Sequence, residues 1–442
     1  MKKDKDFQYL EDLLRDPAEI MKEEEEKRRE EPEADDEAPD VPEDYAEETE
    51  EPLPGKKKKS PAQKKRPEIA PKLKVLAVLL LIVAIIVGAV YGVSALIKKA
   101  NSSFINGASV FYPIASDSVL SLYPYPEGVI VLTGNSVEYV DATGKLIEKN
   151  THLYASPVLK SSGKHVLLYD KGGRDLRLEK NARVVTTVSA DAEISNGAIA
   201  PNGTFAYVLN ADGVYQTHIY VYTAGEKKLF EWGGPDYLID IALSDNGKKV
   251  AFSMLQVKDA SYITNVYVYD IASEKKTLLG SCSFDAEAAY CVRFLSNKEV
   301  AILTGNGVYR MNADGETETL STFSSNELKH TVVSPGKLTA VALNLFGNEK
   351  NTEVRFFDKK LNEAFTLNYG ETVLSMSASG SDTAMQFADR ILVVDHEGEE
   401  TGNIPLTESC YKILLNDDRV YILTANGLKC YDSDYTAPDE AE

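Results

Sequence analysis

Between residues 108 and 432 the hydrophobic positions come in short runs, each closed by glycine, asparagine, aspartate or proline. No stretch there keeps a 3.6-residue period over several turns, so the pattern predicts strands joined by tight turns and an all-β body. A different pattern lies upstream, where residues 75–97 form 23 positions without a charge. As a helix that run is about 34 Å long, enough to cross a hydrocarbon core of about 30 Å. It predicts one transmembrane helix over 73–97, followed by a linker over 98–107.

The body repeats. VLTGNSVEYVDATG from Val131, ILTGNGVYRMNADG from Ile302 and ILTANGLKCYDSD from Ile422 are one unit of strand, Gly-Asn or Ala-Asn turn, strand, and a second turn opened by Asp or Asn. Counting the strand before each unit gives eight starts, near Ser118, Ala155, Ile194, Leu238, Ala289, His330, Thr372 and Cys410. Eight units over 108–432 have a period of about 41, that of four-stranded propeller blades. Seven blades result instead if the unit from Ala155 is an insertion. The eighth unit stops after three strands, and residues 108–114 are expected to supply its fourth and close the ring. Pro113 suits such an edge position, where no ladder N–H is needed.

Charge distribution sets the expected topology. Residues 1–55 carry 8 basic and 23 acidic side chains, a net of −15, within a chain whose total is −21. Nine Lys and Arg fall at 56–74, just before the apolar run, and only Lys98 and Lys99 follow it closely. The positive-inside rule then places the N-terminus in the cytoplasm and the propeller outside the cell membrane. The basic block abuts the membrane, where anionic headgroups account for it, and no nucleic-acid partner is expected. Acidic, proline-rich residues 31–55 cannot bury enough apolar surface to fold, so 1–72 reads as a largely disordered tail, as does the acidic segment 433–442. Phe7, Leu10, Leu13 and Leu14 share one face of a short helical stretch, either a transient helix or a docking segment for a cytoplasmic partner. Within the apolar run, Ala84, Gly88 and Gly92 fall four apart, a small-residue ridge that would permit a homodimer through the membrane helix. Small residues are also common in such helices.

The stretch IALSDNGKKVAFS followed by VYVYDIASEKK resembles the TolB-type, WD40-like propeller repeat. Weaker copies are IAPNGTF at 199–205 and VVSPG at 332–336. The whole layout resembles single-pass, membrane-anchored propeller proteins of Gram-positive bacteria. That likeness implies the fold and the topology, whereas propeller repeats serve unrelated functions.

Candidate chemistry is sparse. Asp141, Asp270, Asn312, Asp358, Asp395 and Asp432 recur at the end of the third strand, which fits Asx turns better than acid-base catalysis. Aligning the units places Ser121, Ser156, Asn196, Asp240, Val292, His330, Ser375 and Lys412 at one level of the central channel. Seven are polar, and they are either a ligand-contacting ring or side chains that a wet channel tolerates. Scattered histidines give no zinc spacing. Cys282 and Cys291 flank a blade junction and are possible disulfide partners, whereas Cys410 and Cys430 fall on strands separated by another strand, too far for a bridge. Sialidase Asp boxes, GxSxG and Gly-rich phosphate loops are missing, and the single Trp232 excludes repeated tryptophan docking. No cofactor, metal or catalytic residue is therefore assigned. A binding or scaffolding module for a protein, peptide or cell-wall polymer is expected, its recognition face at the longer loops 210–217, 255–264 and 344–351. The alternatives are a transmembrane sensor, and an enzyme acting on wall glycan or peptide through Asp240, His330 or Lys412.

Overall fold

The computed structural model describes residue 106 and residues 110–437, apart from 127, 212, 259, 313, 335–337 and 346–349. The tail with Phe7, Leu10, Leu13 and Leu14, and the apolar run with Ala84, Gly88 and Gly92, lie outside the described residues. Among the described residues no helix is long and apolar enough to cross a membrane.

Among the described residues, thirty-one strands form eight antiparallel sheets, seven of four strands and one of three. The blades cover 119–151, 157–189, 193–234, 237–285, 289–322, 328–369, 375–405 and 410–432. Each start lies within three residues of its sequence-based position, and the unit near Ala155 is a complete blade of four strands rather than an insertion. The protein is an eight-bladed β-propeller.

Burial explains why these strands read as short apolar runs. In blade 1 the second strand, Gly128–Thr133, is buried at all six positions, and the third, Ser136–Asp141, at five of six. Both sheet faces are covered by neighbouring blades, so alternation disappears where strands are buried on both sides. The outermost strand, Leu146–Thr151, is exposed at five of six positions and carries Glu148 and Lys149. The core falls into eight apolar clusters, one at every blade junction. No blade could bury its faces alone, which makes the ring a chain of nearest-neighbour interfaces.

The seam between blades 8 and 1 closes through residues upstream of blade 1. Phe111 and Tyr112 N–H groups donate to the Leu428 carbonyl at 2.8 and 3.1 Å, and the Leu428 N–H returns a bond to Tyr112 at 3.0 Å. The expected fourth strand at 108–114 is thus one antiparallel bridge, joined by an Asn106 N–H bond to the Cys430 carbonyl. Phe111 packs among Leu414, Tyr421 and Leu428 of blade 8 and Val119, Leu122 and Val129 of blade 1. Tyr112 hands its hydroxyl to blade 1, donating to Glu138 Oε2 at 2.6 Å. Gly144 completes the fit. At φ +83° it sits where a Cβ would lie 2.1 Å from the Phe111 carbonyl oxygen, so both conformation and space demand glycine.

Turn chemistry follows the expected Asx pattern at five of its six positions. Oδ1 of Asp141, Asn312, Asp358 and Asp395 accepts N–H bonds from residues two and four further on, and Asp270 from residues two and three further on, at 2.8–3.1 Å. Asp432 departs because no outer strand follows it; its own N–H donates to Asn106 Oδ1. Residues 433–437, whose acidic composition suggested a disordered tail, run beside the outermost strand of blade 7. There the Asn403 N–H donates to the Tyr435 carbonyl at 2.8 Å, and the Tyr435 ring packs 5.5 Å from Tyr431. All four cysteines, Cys282 and Cys291 included, are free thiols.

Candidate functional site

A β-bulge recurs at one place on the innermost strand of six blades, with Leu120, Ser195, Ile239, Tyr290, Lys329 and Tyr411 as the extra residues. A bulge bends the strand and re-aims the side chain that follows it. Those following residues are Ser121, Asn196, Asp240, Cys291, His330 and Lys412. Five belong to the ring read from sequence. In blade 5 the residue that follows the bulge is Cys291, so Val292 leaves the ring and Cys291 replaces it. Ser375 opens the unbulged first strand of blade 7, paired with Gln386, and Ser156 precedes that of blade 2 by one residue.

Several ring members have work within the fold. Ser375 Oγ donates to Gln386 Oε1 at 2.7 Å, Asn196 Oδ1 accepts the Gly197 N–H at 2.8 Å, and the Ser156 N–H donates to Asp170 Oδ1 at 2.7 Å. Burial lowers the pKa of His330, with the Lys329 charge acting the same way and a backbone hydrogen bond at Val373 opposing. Asp240, His330 and Lys412 share no hydrogen bond or ion pair with one another among the described residues, since they stand on blades 4, 6 and 8.

Asp240 instead organises a charged cluster with residues absent from the sequence-read ring. Its Oδ2 accepts the Val292 N–H at 3.0 Å and Arg293 Nη1 at 2.6 Å, while its own N–H bonds Ser253 Oγ at 3.1 Å. It thereby satisfies a donor on the inner edge of blade 5, which has no further strand to pair with. Burial works against the Arg293 charge, but Cys291 and Asp240 more than offset that and raise its pKa. Burial also pushes the Cys291 thiol up to about 11, with Arg293 pulling the other way. A thiol held protonated there is a poor nucleophile.

Lys160, on the first strand of blade 2, reaches the same cluster. Burial lowers its pKa, the Arg293 charge adds to that, and Asp240 opposes it. Lys160 and Arg293 both line a cavity of about 320 Å³ in the channel, walled by Tyr123, Pro124, Ile241 and Phe294. The ring was read at a single level, and these two residues lie on later strand positions. The signal that finds them is a charge inside an inner strand, as in VLKSS and CVRF. Among the described residues no group of three or more His, Cys, Asp and Glu side chains is placed to hold a metal ion.

An all-β ring of eight sheets around a polar, partly charged channel defines the class: a β-propeller. By sequence, the chain belongs to the family of unknown function DUF5711, matched over residues 111–431, the span from the closing segment to the last blade. No curated protein matches it by sequence. Its fold is similar to that of BamB from Moraxella catarrhalis, at 10% identity over 72% of this chain and 94% of that one, TM-score 0.45. It is likewise similar to apo AztD from Citrobacter koseri (11% identity, 66% and 88% covered, TM-score 0.47) and to Sqt1 from Chaetomium thermophilum (13%, 74% and 99%, TM-score 0.49). These likenesses concern the fold alone.

Proposed function

We propose that the protein is a single-pass membrane protein, N-terminus cytoplasmic, whose propeller stands outside the cell membrane and docks a protein, peptide or cell-wall polymer on one face of its ring. The anchor rests on the uncharged run at 75–97 and the basic block before it. The docking face rests on where exposed apolar side chains fall.

In a meander of four strands, the start of strand one, the loop between strands two and three, and the crossover after strand four share one face. Nine of the fifteen exposed large hydrophobics lie there: Leu120, Leu153, Val214, Tyr215, Tyr237, Val257, Tyr262, Leu374 and Tyr411. Of the other six, Val110 precedes the ring and five sit on outermost strands. At the opposite face, made of the Asx and strand one-to-two turns, Leu146, Ile147, Val184 and Leu278 stand at the first or second position of their outermost strands, four against nine. Val214, Tyr215, Val257 and Tyr262 belong to the loops 210–217 and 255–264, which the sequence marked for recognition. Apolar side chains gathered on one face of a polar domain mark an interaction surface.

The test uses intact cells. A photo-crosslinking residue at Val257 should form adducts with a partner or wall material, and one at Lys360, on the opposite face, should not. Protease added outside should remove the propeller and spare the acidic tail. Equal crosslinking from both faces rejects the docking face, and a propeller protected in intact cells rejects the topology.

A further inference from the structure

The channel cavity holds a charge that the fold leaves uncompensated. Arg293 commits Nη1 to Asp240 Oδ2 and to the Val292 carbonyl, each at 2.6 Å. Its Nε and Nη2 make no hydrogen bond with any described residue, and Lys160 Nζ makes no hydrogen bond or ion pair with one. Asp240 spends Oδ2 on Arg293 and the Val292 N–H and makes no bond with Lys160. Asp245, the one carboxylate lining the cavity, is exposed at its mouth and pairs with neither cation. Two cationic donors therefore face about 320 Å³ of space whose other walls include Tyr123, Pro124, Ile241 and Phe294. That volume lies at the lower end for small-molecule sites. A partly buried cation without a partner is costly, so Lys160 held beside Arg293 at one cavity points to an anionic occupant.

We propose that this cavity binds a carboxylate borne on a small apolar body, its oxygens taken by the free edge of the Arg293 guanidinium and by Lys160, its body against Tyr123, Ile241 and Phe294. A planar guanidinium edge matches a carboxylate in two parallel bonds, and the ammonium adds a point charge. Free phosphate fits worse, since it would leave the apolar wall unused. The chemistry is shared by small organic acids and by the C-terminal residue of a peptide. The cavity is lined by the ends of first strands and the turns after them, opposite the apolar face, so this site and the docking reading fail independently.

The full-length chain in detergent micelles would be titrated calorimetrically with N-acetylated alanine, leucine and phenylalanine, with their primary amides, and with inorganic phosphate. At least one acid should bind one to one, and its amide at least about tenfold more weakly, the loss of a charge-assisted pair. Lys160→Met should weaken that acid by about tenfold without lowering the melting temperature, because Lys160 bonds nothing in the fold. Arg293→Lys keeps the charge near Asp240 and should weaken binding similarly by removing the fork. Tighter binding of a pentapeptide with the same C-terminal residue assigns the peptide source; equal or weaker binding assigns the free acid. The proposal is overturned by no saturable binding of any acid, by equal affinity for acid and amide, by unchanged affinity in Lys160→Met, or by binding of phosphate alone.

Discussion

Two charge clusters inside the same ring show opposite habits. At the junction of blades 1 and 2, Glu179 has no exposed surface, yet its Oε1 lies 2.6 Å from Arg177 Nε as an ion pair out of line for a hydrogen bond. Its Oε2 accepts Tyr139 Oη and Asn150 Nδ2, both at 2.7 Å, and Arg177 donates on to the carbonyls of Thr151 and Asn150. Every charge there has its counterpart, and the cluster fastens two blades. In the channel, Asp240 pairs with one of two cations and Lys160 is left over. Charge that is balanced within the fold holds blades together, while charge left unbalanced beside open space is available to something else.

The contrast is broken most directly at the balanced end. Glu179→Ala leaves Arg177 buried and uncompensated and should cost about 3–5 kcal/mol in chemical denaturation. A loss under about 1 kcal/mol would mean the cluster is incidental to stability. The seam offers a second balanced carboxylate, Glu138, bonded by Tyr112, Ser136 Oγ at 2.9 Å and Lys149 at 2.7 Å. Tyr112→Phe removes a bond to a charged group and should cost about 1.5–3 kcal/mol. If it costs nothing, packing by Phe111 closes the ring unaided.

Protonation probes two histidines outside the channel cavity. His152 and His165 each bury an Nε2 without a partner, and burial lowers both pKa values, so the folded chain keeps both rings neutral. The unfolded chain takes up those protons first as pH falls through about 6.5, so stability is full above neutrality and falls toward pH 5. The slope is at most about 1.4 kcal/mol per pH unit per histidine. Denaturation of the His152→Gln, His165→Gln double variant across pH 5–7.5 should give a flatter curve; an unchanged curve assigns the loss elsewhere.

Lys160→Met carries the smallest expected change, within about 1 kcal/mol of the parent and toward greater stability. A lysine whose folded pKa is depressed destabilises the fold while protonated. The advantage of methionine should therefore be full at pH 7 and vanish as pH rises past about 10.5. A marked loss of stability at pH 7 would show that Lys160 is bonded within the fold after all.

Architecture was legible because a propeller repeats its turns. The Asp or Asn that closes six of the eight third strands, the Gly-Asn hairpins and the period near 41 residues located eight blades, and the truncated eighth unit pointed to closure by residues upstream of Ser118. The channel was less legible. A slip of one residue in aligning blade 5 turns a side chain to the other face, which exchanged Val292 for Cys291, the residue that follows the recurrent bulge. Lys160 and Arg293 escaped for a different reason: the ring was read at one level only, and although VLKSS and CVRF each show a charge inside an inner strand, whether that charge is paired depends on other blades. The parallel contact between 433–437 and blade 7 had no signal at all, because acidic composition describes solvation and not the edge a segment meets.

Tyr112 and Leu428, the two ends of the seam, are made at opposite ends of synthesis. Until the final blade leaves the ribosome, a growing ring offers two raw edges, at blade 1 and at the newest blade, each with unpaired backbone and uncovered apolar surface. Clasping the first-made segment onto the last-made sheet turns completion itself into the quality check: a prematurely terminated chain has nothing for its clasp to grip and stays recognisable as unfinished.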